Sequence, residues 1–121
     1  MVFCLRLIVR ERYMTIPYED FKKLDLRVAQ ILEVCAHPNA DKLYVIKIDI
    51  GGETKQIVAG IRLSYPLPEC LVGRKVVVIN NLEPAVIRGA ESNGMILAAS
   101  GESGPVILFP EKDVPAGTII K

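Results

Sequence analysis

The run from Leu43 to Ile61 limits the possible folds more than any other part of the chain. In Leu43 to Ile50, Tyr44, Ile46, Ile48 and Ile50 share one face, while Leu43, Val45, Lys47 and Asp49 share the other. A period of two belongs to a strand with one buried side and one partly charged side; on a helix it would scatter the isoleucines around the axis. Gly51-Gly52-Glu53 then precedes a second β-rich run, Thr54 to Ile61, so the spacing predicts a hairpin. Because the glycine pair lies between two strand patterns and not before a helix, a phosphate cradle is disfavoured.

The flanking sequence breaks into short pieces of the same kind. Leu24 to Val34 is β-rich and ends in the dense turn signal His37-Pro38-Asn39-Ala40-Asp41. Val76 to Ile79 and Gly94 to Ala99 are continuous apolar runs, as expected of strands covered on both sides. Asn80 to Asn93 between them is polar, contains Pro84 and Gly89, and reads as a loop of functional length. Ser64 to Gly73 carries Pro66 and Pro68, which break a sheet, and is expected to be a connection with at most one helical turn at Glu69 to Leu71. Pro17 with Glu19 and Asp20 suits the first turn of a short helix whose apolar side is Phe21 and Leu24. Val106 to Phe109 reads as a further strand and Pro110 to Lys121 as a trailing segment. Short strands joined by glycine and proline turns imply a small all-β barrel, without distinguishing among barrel types.

At 121 residues the chain fits one domain, and with half of it apolar it can bury a core. Met1 to Tyr13 stands apart, so the expected division is an extension at 1–13 and a domain at 15–121. The extension has two readings: residues upstream of a true initiator at Met14, or an extra strand from Val2 to Val9. It is apolar near the start, but Arg6 interrupts it and no small-residue cleavage pattern follows, which disfavours a secretory signal. Cys4, Cys35 and Cys70 form no CxxC pair and there is one histidine, so neither a disulfide framework nor a zinc site is supported, and a reducing cytoplasm is the expected setting.

Catalysis finds little support. A Ser-His-Asp or Cys-His arrangement would need His37, which precedes a proline in a turn and reads better as a residue fixing that turn. Asp20 with Asp25, or Asp41 with Asp49, lack diagnostic spacing, and no GxGxxG, P-loop or HExxH motif occurs. The net charge of +1 hides a division along the chain. Lys42 to Arg88 holds seven basic and four acidic residues, a local +3, whereas Gly89 to Lys121 holds two basic and four acidic, a local −2. Attraction to a polyanion would be local and modest, which favours recognition of a shape over indiscriminate coating.

Two segments carry a family resemblance. LDLRVAQILEVCAHPNADKL, from Leu24 to Leu43, and ESNGM, from Glu91 to Met95 behind Arg88-Gly89-Ala90, resemble in order the tRNA-binding domain appended to many methionyl-tRNA synthetases and also found free-standing. The resemblance runs from about Ile16 to Lys121. It implies an all-β, five-stranded Greek-key barrel of the OB type with short helical insertions and terminal extensions. It also implies a non-catalytic, cofactor-free tRNA-binding protein, a subunit or helper of an aminoacyl-tRNA synthetase, methionyl being the expected one. Lacking an attached catalytic domain, the chain looks like the separate form, sometimes called a methionyl-tRNA synthetase β subunit. The family's homodimerisation through terminal segments would here involve Pro17 to Leu24 and Val106 to Ile120.

The resemblance carries tRNA contact onto Asn39 and Lys42, with Asp41 orienting their turn, and onto Ser92 and Met95, with Arg88 adding charge and Glu91 shaping the loop. A serine hydroxyl can bond a phosphate, ribose or base edge, and a thioether can lie against an unstacked base. Lys47, Lys55 and Arg62 are expected to line one open barrel face, and the amides of Asn80 and Asn81 to read base edges. With so few aromatics for stacking, a folded feature such as the outer corner of tRNA is a better target than an extended strand. The rival reading is a peptide-binding chaperone from a bacterial branch of the same fold linked to export. A cytokine-like fragment, known among animal relatives, has no specific support in these residues.

Overall fold

The alternation at Tyr44 to Ile50 is realised as a strand whose inward side chains reach the centre of the molecule. The structure, a computed structural model, describes residues 14–121; both readings of residues 1–13 lie outside the described residues. Strand β2 (Tyr44–Asp49) buries Tyr44, Ile46 and Ile48 and leaves Val45, Lys47 and Asp49 half-buried. It pairs antiparallel with β1 (Leu26–Ala36) on one side and β3 (Thr54–Ala59) on the other, aligning Val34, Ile46 and Ile57 across three strands. Ile31, Leu71, Val76 and Val78 complete the most deeply buried group.

Strand β1 is eleven residues long and serves two partners. Leu26 to Gln30 pair with β4 (Lys75–Ile79), Gln30 to Ala36 pair with β2, and a register shift between Ile31 and Glu33 bends the strand between these duties. The strand order is β3-β2-β1-β4-β7, where β7 is Met95–Ile96, and β10 (Ile119–Ile120) adds to β1. The free edge of β3 meets the segment entering β7. The Asn93 N–H donates to the Gln56 carbonyl at 2.9 Å, so the sheet curls round almost to closure. This is the expected five-stranded Greek-key barrel.

Several boundaries differ from the sequence expectation. The short helix is α1 (Tyr18–Phe21), and the helical turn between the third and fourth strands is a 3₁₀ turn at Pro68–Cys70, one residue early. Residues 80–93 are not an open loop: β5 (Ala85–Ile87) and β6 (Ala90–Ser92) form a hairpin with Arg88-Gly89 at its tip. Both tip residues have positive φ, 53° and 90°. Asn-Gly commonly signals such a turn and Arg-Gly does not, so the pattern was hidden. The run from Gly94 to Ala99 divides into β7 and β8 (Ala98–Gly101), and β8 pairs with β9 (Gly104–Ile107) in a second hairpin.

Candidate nucleic-acid interface

The two segments that resemble the tRNA-binding family meet in space, and His37 joins them. Its ring is 3% exposed. Nδ1 accepts the Asn39 N–H at 3.0 Å, so the neutral ring carries its proton on Nε2, which donates to the Ile87 carbonyl at 3.0 Å. The His37 N–H also donates to Leu43 O, and Leu43 N–H to Ala40 O, closing a compact loop. Arg62 braces this loop from β3's end: its N–H reaches Lys42 O and its guanidinium reaches Ala40 O at 3.4 Å. Between loop and hairpin tip lies a cleft of about 500 Å³, lined by Asn39 to Leu43 on one side and Ile87 and Arg88 on the other. Asn39, Lys42 and Arg88 are exposed at its rim.

A second group gathers at the base of the β5–β6 hairpin. Lys55 Nζ donates to the Asn80 carbonyl at 2.9 Å, and Asn80 Nδ2 to Asp25 Oδ2 at 2.9 Å, while Asn80 Oδ1 is buried without a protein partner. Met95, 43% exposed, pairs with Ile79 next to them. The hydrogen bond from Arg27, then that from Asn80, holds the Asp25 carboxyl below the ordinary carboxylate value, against a smaller opposing effect of burial.

Ser92, Asn81 and the expected Lys47, Lys55 and Arg62 stripe are placed differently from expectation. Ser92 is 4% exposed; its Oγ accepts the Val58 N–H at 3.0 Å and donates to Gly94 O at 3.1 Å. With both capacities spent on backbone, the hydroxyl fastens the hairpin to β3 and is not presented to a ligand. Asn81 uses its carbonyl on the Asp25 N–H at 2.8 Å and its amide on Lys23 O at 2.7 Å, clamping the link between α1 and β1. Lys47 and Lys55 do not share a barrel face. Lys47 stands opposite Glu33 and Gln56 on the outer side, whereas Lys55 pairs with Ile48 and so faces the barrel interior at its open end. The expected stripe of Lys47, Lys55 and Arg62 is therefore divided among three places.

Glu91, expected to shape the loop, does so through Asn93 Nδ2 on its carboxylate at 2.9 Å and through its carbonyl, which accepts from Gln56 Nε2 at 3.0 Å. Sequence reasoning missed that His37 bridges the two segments, and that Leu43 and Ile87 wall the cleft. A buried histidine and two aliphatics carry no local signal of such a role; only the pairing of the two segments hinted at it. Among the described residues, no group of three or more His, Cys, Asp or Glu side chains is arranged to hold a metal ion, and no helix is long and apolar enough to cross a membrane.

Comparison with known proteins identifies the family and the fold. Residues 26–119 match the family model "Putative tRNA binding domain". The chain is 43% identical over 129 residues to a methionine–tRNA ligase of Pyrococcus furiosus, covering 98% of this chain and 18% of the relative. It is 53% identical over 106 residues to that of Methanothrix thermoacetophila, covering 88% and 16%. It thus spans less than a fifth of the length of either ligase. Among solved structures it is similar to a MetRS-related protein from Pyrococcus horikoshii, with a TM-score of 0.81, 30% identity, and coverage of 88% of this chain and 98% of that one. It is equally similar to a CsaA chaperone protein from Picrophilus torridus, with a TM-score of 0.82, 31% identity, and coverage of 88% and 100%. A family match that spans residues 26–119, most of the chain, shows that the chain belongs to the tRNA-binding domain family.

Proposed function

We propose that this chain binds tRNA without catalysing a reaction, serving as a tRNA-binding subunit or helper of an aminoacyl-tRNA synthetase, the methionyl enzyme in the first instance. One observation carries the reading: the Asn39 to Leu43 loop and the Arg88 hairpin tip, far apart in sequence, enclose one cleft with Lys42 and Arg88 exposed beside it. Asn39, Lys42, Arg62 and Arg88 form the primary contact. Lys55 and Met95, at the other end of the hairpin, form a second patch that a bent, folded RNA can reach while an isolated strand has little to stack on. Ser92 and Asn81 act from behind by holding the hairpin and the α1 link, and Lys47 adds peripheral charge. The domain raises the local concentration of tRNA near its synthetase. The setting is the cytoplasm.

The exposed aliphatic and aromatic side chains of the terminal segments, Tyr18 with Val106, Phe109 and Ile119, support a homodimer that covers them. Val106 and Phe109 also flank a groove of about 790 Å³ with Tyr65 and Arg74, the feature that favours the second reading, a peptide-binding chaperone. Titration of labelled tRNA at several salt concentrations, against single-stranded and duplex RNA, separates the two. The tRNA reading requires preference for tRNA and a log–log salt slope of about −2 to −4, reflecting a few neutralised phosphates. Indifference to tRNA, together with suppressed aggregation of an unfolded polypeptide, favours the chaperone.

A further inference from the structure

We infer that His37 is the positioning residue of the cleft: its neutral imidazole ties Ile87, and through it the adjacent Arg88, to the Asn39–Lys42 loop. The inference rests on tRNA being held at this cleft. Among the described residues, the bond from His37 Nε2 to Ile87 O is the one hydrogen bond that joins the two walls. The ring is also oriented, because the Asn39 N–H on Nδ1 leaves Nε2 as the donor and aims it at the hairpin. Arg88 follows Ile87 directly and has the left-handed backbone of the tip, so its side chain takes its direction from where Ile87 is anchored. His37 itself is buried beneath the rim and contributes through this geometry instead of touching RNA.

Two substitutions separate the two functions of the ring. In His37→Asn the side-chain oxygen occupies the place of Nδ1 and keeps the Asn39 turn, but the bridge to Ile87 is lost. In His37→Gln the terminal amide reaches as far as Nε2 and keeps the bridge, but the turn acceptor is lost. tRNA affinity, measured by anisotropy with the intact protein, follows the bridge: His37→Ala and His37→Asn weaken binding about tenfold, and His37→Gln restores most of the loss. In an Arg88→Ala background, where binding is already weakened, His37→Asn costs less than about twofold further, because there is no guanidinium left to aim. Thermal midpoints identify any variant that fails to fold, and His37→Gln then carries the test alone through its recovery of affinity relative to His37→Ala. Equal affinity of His37→Asn and the wild type, an unchanged affinity on Arg88→Ala, or a full tenfold loss from His37→Asn in the Arg88→Ala background overturns the inference. Failure of the wild type to bind tRNA at all refutes the proposed function itself, and so is distinguishable.

Discussion

Arg88→Asn should make the protein more stable and a weaker tRNA binder at the same time. Arg88 has φ of 53° and Gly89 has φ of 90°, so the tip of the β5–β6 hairpin is two consecutive left-handed residues. An L side chain in that region costs about 1–2 kcal/mol, and asparagine escapes part of this through local hydrogen bonding. Arg88 is exposed and among the described residues makes no hydrogen bond or ion pair that would offset the cost. The substitution should therefore stabilise by about 0.5–1 kcal/mol, raising the thermal midpoint by roughly 2–5 °C in a domain of this size. The same change removes a cation from the rim of the cleft. tRNA affinity should fall about fivefold to tenfold and the salt slope should lessen by about one. Circular dichroism melting and tRNA anisotropy measure the two effects separately. A lowered midpoint, or an affinity equal to the wild type, refutes the argument that strain is tolerated at the tip because the guanidinium is needed there.

Ser92→Ala should act on stability first: it strips a buried backbone N–H at Val58 of its acceptor, costing about 1–3 kcal/mol, and hydrogen exchange at that amide should quicken. Met95→Ala, at a half-exposed position, should change stability by no more than about 0.5 kcal/mol yet weaken tRNA binding several-fold; unchanged binding removes Met95 from the interface. Asp25 has a folded-state pKa below its ordinary value, so its contribution to stability is present above that value and fades as pH falls through the folded pKa. The gap in midpoint between the wild type and Asp25→Asn should accordingly be widest near pH 5 and narrow toward pH 2, as melting across that range would reveal.

What could be read directly from the residues was whatever local chemistry decides. The alternation from Tyr44 to Ile50 determined a strand and its buried face, the Gly51-Gly52 pair its hairpin, and Pro66 and Pro68 the break before β4, because side-chain direction and turn geometry depend on near neighbours. The likeness of Leu24 to Leu43 and Arg88 to Met95 to one family singled out the loop and the hairpin that flank the cleft. How the two are brought together was decided only by the tertiary structure. Ser92 and Asn81 look as available as Asn39 on paper, yet the folded chain spends their polar groups on the backbone of Val58, Gly94, Asp25 and Lys23. Lys47 and Lys55 look like one stripe until strand register turns them to opposite faces. His37 looks like a turn residue, but barrel closure brings Ile87, fifty positions away, within 3.0 Å of its ring. Register decides the lysines, while the serine, asparagine and histidine depend on partners distant in sequence, and a hydrogen bond has no meaning for a side chain until its partner is in place.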